Sequence, residues 1–238
     1  MYVSTNLVGQ PQFKISAGGS ASADFMVGAE VQAVDPYFGA ATLLYGKASG
    51  DISRYALCVA SATVGTGSAS LGFIVAPNTA GTGASVVVAL AALTSGEYGW
   101  FLKSGAVPVL STANLAAAAL PALSGAGTIG ALANGKQILG ARVVAPSTST
   151  LAKTATGNVG SDTLHVSSSD GWFVGMAVTG TGIPASTTIT EISAGQNKVM
   201  ISNALTALPS TVTGTYNDGS AYFNLVHLNH AHIQGQVV

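Results

Sequence analysis

The chain has 238 residues, a formal net charge of −1 and only 7% charged side chains, against roughly 25% in an ordinary soluble domain. With no basic cluster, it lacks the electrostatic footprint of a nucleic-acid binder. Gly, Ala, Ser, Thr and Val dominate the sequence, and a surface built from them repels other copies weakly, which suits a chain packed against neighbours in an assembly.

The mean hydropathy of +0.48 is high. The longest apolar runs, residues 84–93 and 115–123, nevertheless fall short of the roughly 20 residues that a membrane-spanning helix needs. No membrane association is expected. Met1 is followed by Ser4, Thr5 and Asn6 without a basic stretch, so no signal peptide is read at this end. The single Cys58 leaves no intrachain disulfide and fits synthesis in a reducing cytoplasm.

In chain order, residues 1–27 are rich in Ser, Gly and Ala with sparse apolar side chains, as in an extended arm. Buried-strand patterns follow at residues 55–60, 71–75, 85–90 and 98–102. Residues 112–120 carry four consecutive Ala, which allows a helix of about two turns before Pro121 stops it. Asn134-Gly135 is expected to make a tight hairpin turn, because both residue types tolerate positive φ. A further buried strand is read at 138–144.

At Pro146-Ser147-Thr148-Ser149-Thr150 the composition shifts. A Thr/Ser/Gly module then runs from 151 to 217, with strands at 163–167, 188–191 and 198–202 and a turn at Asp170-Gly171. Asp218-Gly219 is a second expected hairpin turn, and 222–228 is a further short β-rich run read as a strand. The expected fold is all-β: a sandwich or barrel-like main domain from 28–150 and 218–238, an N-terminal arm and a small inserted β domain. Insertions of this kind sit at surface loops whose ends lie close together.

Candidate chemistry is thin. His227, His230 and His232 are three of the four histidines, and imidazoles so close could hold a transition metal, or one ion where copies meet around an axis. On a regular strand His230 and His232 share one face and His227 takes the other, with no Cys or acidic residue nearby in sequence. Contact histidines at an interface are therefore the plainer reading, and no metal or cofactor is expected. Trp100 and Trp172, beside Tyr98 and Phe173, could stack on a sugar or close the end of a β core. Gly65-Thr-Gly67 and Gly81-Thr-Gly83 lack the third glycine of a dinucleotide loop, Gly46-Lys47 lacks the glycines of a phosphate loop, and no Gly-x-Ser-x-Gly elbow occurs. No catalytic residue is assigned and no enzymatic activity is expected.

Two stretches resemble known proteins. Gly28-Ala-Glu-Val-Gln-Ala-Val-Asp35-Pro36-Tyr-Phe-Gly39 with Tyr45-Gly-Lys47, then Gly96-Glu-Tyr98-Gly99-Trp100 through Val109, and later Gln137-Ile-Leu-Gly140-Ala-Arg-Val, resembles structural head proteins of tailed bacteriophages. The run Gly160-Ser-Asp-Thr-Leu-His-Val, then Val174-Gly-Met176-Ala-Val-Thr-Gly180-Thr-Gly182-Ile183-Pro184, then Ser202-Asn203-Ala-Leu-Thr206, is similar to a small β module of phage virion and bacterial surface proteins. The first resemblance implies a capsid cement or decoration protein on the outside of the virion. Its partner would be the major capsid (coat) protein, and it would act as a homo-oligomer, a trimer by analogy with cement proteins at local three-fold positions. The alternative it leaves open is a carbohydrate-binding head-fibre or surface adhesion module using Trp100 or Trp172.

Overall fold

The computed structural model describes residues 3–4, 19–35, 37–64, 71–77, 85–217 and 221–234. Their regular structure is β-strand apart from one 3-10 turn at Ala194–Gln196. Strands β1 to β10 are Val3–Ser4, Glu30–Asp35, Gly39–Ala48, Leu57–Val64, Leu71–Pro77, Val86–Ala89, Tyr98–Ser111, Ala122–Gly125, Thr128–Gly130 and Ile138–Ala145. Strands β11 to β16 are Thr150–Thr156, Thr163–Val166, Ala177–Gly180, Ile189–Ser193, Lys198–Ile201 and Thr211–Thr215, and β17 is Tyr222–Ile233. The all-β expectation therefore holds.

The larger sheet has eleven strands in the order β1-β2-β3-β5-β4-β6-β7-β17-β10, with β9 beside β7 and β8 beside β9. Because β7 also pairs with β3, the strands β3, β5, β4, β6 and β7 close into a ring. Leu44, Ala48, Ala56, Cys58, Val87 and Phe101 form one apolar cluster of this ring. The alternate residues of the same strands, Leu43, Tyr45, Leu57, Val88 and Leu102, belong to the other core. Strands buried on both faces read as continuous apolar runs, which is why β6 is Val-Val-Val-Ala with all four residues buried.

β7 has 14 residues and serves both parts of this sheet. Its first half pairs with β3 and β6, and residues 105–111 pair with β17. Gly105, at φ 124, sits where the two halves meet; a Cβ there would lie 2.9 Å from that of Ala41.

The smaller sheet takes all six of its strands from 150–215, in the order β13-β16-β11-β12-β15-β14. It lies in sequence between β10 and β17, which are antiparallel neighbours of the larger sheet. Its first and last strands pair at Thr150↔Thr215, so the two chain crossings into it run side by side.

Three local expectations differ from what is seen. Residues 112–120 form no helix: Ala118 has φ 64, and residues 118 and 119 hydrogen-bond to Val143 on the outer edge of β10. Edge pairing there satisfies the backbone groups that a two-turn helix would leave open at its ends. Asn134-Gly135 is a turn, with Gly135 at φ 69 and the Lys136 amide bonded to the Ala133 carbonyl. It joins β9 to β10, which do not pair with each other, so it closes no hairpin. Residues 19–27 are attached rather than free. Ser20 exchanges two backbone hydrogen bonds with Tyr98, and the Phe25 ring meets Trp100 edge-on at 5.2 Å. The Gly-Thr-Gly runs at 65–67 and 81–83 and the turn expected at 218–219 lie outside the described residues.

Candidate functional site

The two tryptophans are structural in their surroundings. Trp172 is 1% exposed, and its Nε1 donates to the Leu151 carbonyl at 3.2 Å. The indole fits because residue 214 is glycine: a Cβ there would stand 2.9 Å from Nε1. Trp100 is 8% exposed and is walled by Tyr45 at 5.0 Å and Phe25. A ring that stacks on a sugar offers an open face, and neither indole offers one.

The histidines are arranged differently. His227, His230 and His232 are all exposed, including the one expected on the opposite face. The cause is a bulge. His230 adopts φ 45 and Gly140, across the ladder, φ 77; the register jumps from Ala141↔Leu228 to Leu139↔His232. Inserting residues in this way shifts the in-out alternation, so Leu228 and Ala231 are both buried with Asn229 and His230 exposed between them. Gly140 is required there, since a Cβ would lie 2.6 Å from the Asn229 carbonyl oxygen.

His227 stands opposite Arg142 on one side and Ala106 on the other. The His230 Nδ1 lies 3.3 Å from Asn229 Oδ1, and residue 232 bridges to Ser85. Among the described residues no three His, Cys, Asp or Glu side chains gather into a metal-binding group.

A third cluster was invisible in the sequence. Where the two sheets meet, Tyr55, Phe173, Tyr216 and Phe223 interlock. Phe173 contacts Tyr216 at 5.3 Å and Phe223 at 5.5 Å, and Tyr55 meets Phe173 edge-on at 5.5 Å. The Tyr37 hydroxyl lies 2.6 Å from the buried Ser169 Oγ. Asp35, 3% exposed, accepts from the Tyr37 and Phe38 amides at 2.9 and 3.0 Å.

Burial drives the Tyr55 phenol well above its ordinary range; Asp35 adds to the shift and Arg54 opposes it. Burial also pushes Tyr216 up to about 12. Both phenols are therefore hydrogen-bond donors at neutral pH, and nothing activates them as nucleophiles.

On β17, Asn224 is fully buried and hydrogen-bonded through both polar atoms of its side chain. Its Oδ1 accepts from the Leu115 and Ser147 amides and its Nδ2 donates to the Ala113 carbonyl. Asn224 lies on a strand recognised as a β-rich run, yet nothing in the sequence marked it as the polar anchor of two loops.

No helix among the described residues is long and apolar enough to cross a membrane. No family model, curated protein or solved structure matches this chain.

Proposed function

We propose that this chain is a structural protein of a tailed-phage virion, a capsid cement or decoration protein that binds across joints between coat subunits and works without turnover. The observation that carries the reading is the 7% charge on an all-β chain that keeps large apolar side chains in water: Met26 is 83% exposed, Leu208 67% and Leu132 62%. Apolar groups on a weakly charged surface favour contact with a neighbour. The phage-like runs at 28–39, 96–109 and 160–206 support the same class.

A strand edge adds a means of attachment. Val3–Ser4 pairs with Ala33 and Val34 of β2, so the N-terminal segment has the backbone pairing by which an arm joins a sheet edge, its own or a neighbour's. Binding only to the assembled shell would stabilise it by mass action. A homotrimer fits the local three-fold positions of such shells.

The test is co-sedimentation with empty heads of the parent phage. Saturable binding at a fixed ratio to coat subunits, with a raised temperature of head disruption, is the expected result. Absence of binding, together with saturable glycan binding by the full chain, would replace the reading with the adhesion alternative.

A further inference from the structure

Asn134 is the only asparagine of the chain that precedes a glycine, and the fold leaves that pair open. Asn134 stands exposed in the turn between β9 and β10, and its side chain makes no hydrogen bond among the described residues. Gly135 has φ 69, and a Cβ there would meet nothing within 4 Å. One bond closes the turn, from the Lys136 amide to the Ala133 carbonyl at 3.1 Å, while the Gly135 amide donates to no backbone carbonyl among the described residues. Without a Cβ on residue 135, the side-chain amide and the next main-chain nitrogen can approach closely.

The comparable positions are held or crowded. Asn114, Asn203, Asn224 and Asn229 have side chains engaged in hydrogen bonds. Asn158, Asn197 and Asn217 precede Val159, Lys198 and Asp218, whose side chains shield the following nitrogen. Asp170-Gly171 has the same spacing but is packed: a Cβ at 171 would lie 2.7 Å from Leu151, and the Gly171 carbonyl accepts from the Tyr216 hydroxyl at 3.3 Å.

We infer that Asn134-Gly135 is a site of spontaneous covalent modification, a deamidation that the fold survives. Solvent hydroxide takes the Gly135 amide proton, and that nitrogen bonds to Cγ of Asn134. The Cγ–Nδ2 bond breaks, and ammonia leaves with a proton from water, which restores the hydroxide. Water then opens the cyclic imide at either carbonyl, giving aspartate or isoaspartate. Both products add a negative charge to a chain whose formal net charge is −1. Isoaspartate also lengthens the main chain by one methylene. The turn absorbs it, because β9 and β10 do not pair with each other and the bonds from Leu123 to Lys136 and from Ile138 to Pro121 lie beyond the altered link. The chemistry is the same whether or not the chain serves a virion.

The experiment incubates the folded full chain at pH 7 and pH 9 in water enriched in heavy oxygen, beside Asn134→Gln and a synthetic peptide of residues 130–140. Digestion at acidic pH and tandem mass spectrometry then locate each converted residue. The expected result is an acid at 134 carrying solvent oxygen, formed faster at pH 9, with the other asparagines unconverted over the same period. Loss of amide at position 134 should be about tenfold or more slower in Asn134→Gln, whose longer side chain must close a larger ring. The converted chain should bind an anion exchanger more tightly and still melt in one cooperative transition. Conversion of the peptide with none in the folded chain would overturn the proposal, as would equal conversion at asparagines that do not precede glycine. Loss of the cooperative transition on conversion would overturn the claim that the fold survives.

Discussion

The phenol of Tyr55 donates a hydrogen bond to the backbone carbonyl of Val174 at 2.9 Å, joining the turn that leads into β4 to the smaller sheet. Tyr55 holds this position with a left-handed backbone, φ 64, which is uncommon for a bulky residue and costs on the order of 1–3 kcal/mol. Its backbone amide bonds to the Ala89 carbonyl and its carbonyl accepts from the Leu110 amide. One residue thus ties β6, β7 and the smaller sheet together, and those contacts hold the strained conformation in place.

Removing only the hydroxyl should cost little but measurably. Tyr55→Phe keeps the ring contacts and leaves the Val174 carbonyl without this donor, a loss of about 1–3 kcal/mol. Thermal unfolding followed by circular dichroism should show a midpoint lowered by roughly 2–10 °C for a chain of this size. An unchanged midpoint would mean that solvent replaces the bond and that the two sheets are not coupled through it.

Replacing residues 151–217 with a short Gly-Ser loop should leave the larger sheet folded, because the crossings at Thr150 and Thr215 are adjacent and β10 and β17 pair independently of the insert. The deletion uncovers Tyr55 and Phe223 from Phe173. Stability should therefore drop by about 2–4 kcal/mol, the scale of exposing one or two large aromatic side chains. Cooperative urea unfolding with a lower midpoint is the expected outcome. Aggregation or loss of cooperativity would show that the two sheets are one folding unit.

Alkali should destabilise the protein before it denatures ordinary chains. Burial raises the Cys58 thiol to about 12 and Tyr216 to about 12, and raises the Tyr45 and Tyr55 phenols too. Each group keeps its proton longer when folded than when unfolded. The stabilisation is complete below the unfolded values, near 9 for the thiol and 10 for the phenols, and is lost as pH climbs towards the folded ones. Unfolding free energy from urea titrations should be flat to about pH 8.5 and fall by roughly 2–4 kcal/mol at pH 10.5. Cys58→Ala should remove the earliest part of that fall. A flat profile to pH 10.5 would contradict the burial of these groups.

The N-terminal segment should divide functionally near residue 19. Removing 1–18 takes away only the two-residue pairing of β1 with β2 and should lower the melting point slightly, whereas removing 1–27 also strips Phe25 from Tyr45 and Trp100 and should cost about 1.5–3 kcal/mol. In sedimentation at micromolar concentration the full chain should run as an oligomer, the trimer being the expected species, and the 1–18 truncation should weaken it. A full-length monomer would rule out the free oligomer. Unchanged association after truncation would remove the arm from assembly.

Local patterning made the β class legible. Alternation and apolar runs marked the strands at 57–64, 86–89, 138–145, 163–166 and 198–201, because a half-buried or fully buried strand writes its environment into successive residues. The chain turns within the Gly-Thr-Gly-Ile-Pro run for a comparable reason. Gly182 has φ 76 and a side chain there would collide with the Ala207 backbone. The central strand β11 and the edge strand β13, whose residues are mostly half-buried or exposed, carry little of that signal and went unread.

What the sequence determined by itself was strand content, low surface charge and the composition break near 146–150. Closure of five strands into a ring, the meeting of Tyr55 with Val174, the burial of both tryptophans and the common exposure of three histidines were decided only by tertiary structure. Each depends on pairing between residues far apart in the chain, or on a bulge such as Gly140 against His230. A single extra residue in a ladder reverses which way every following side chain points, and no local pattern announces it.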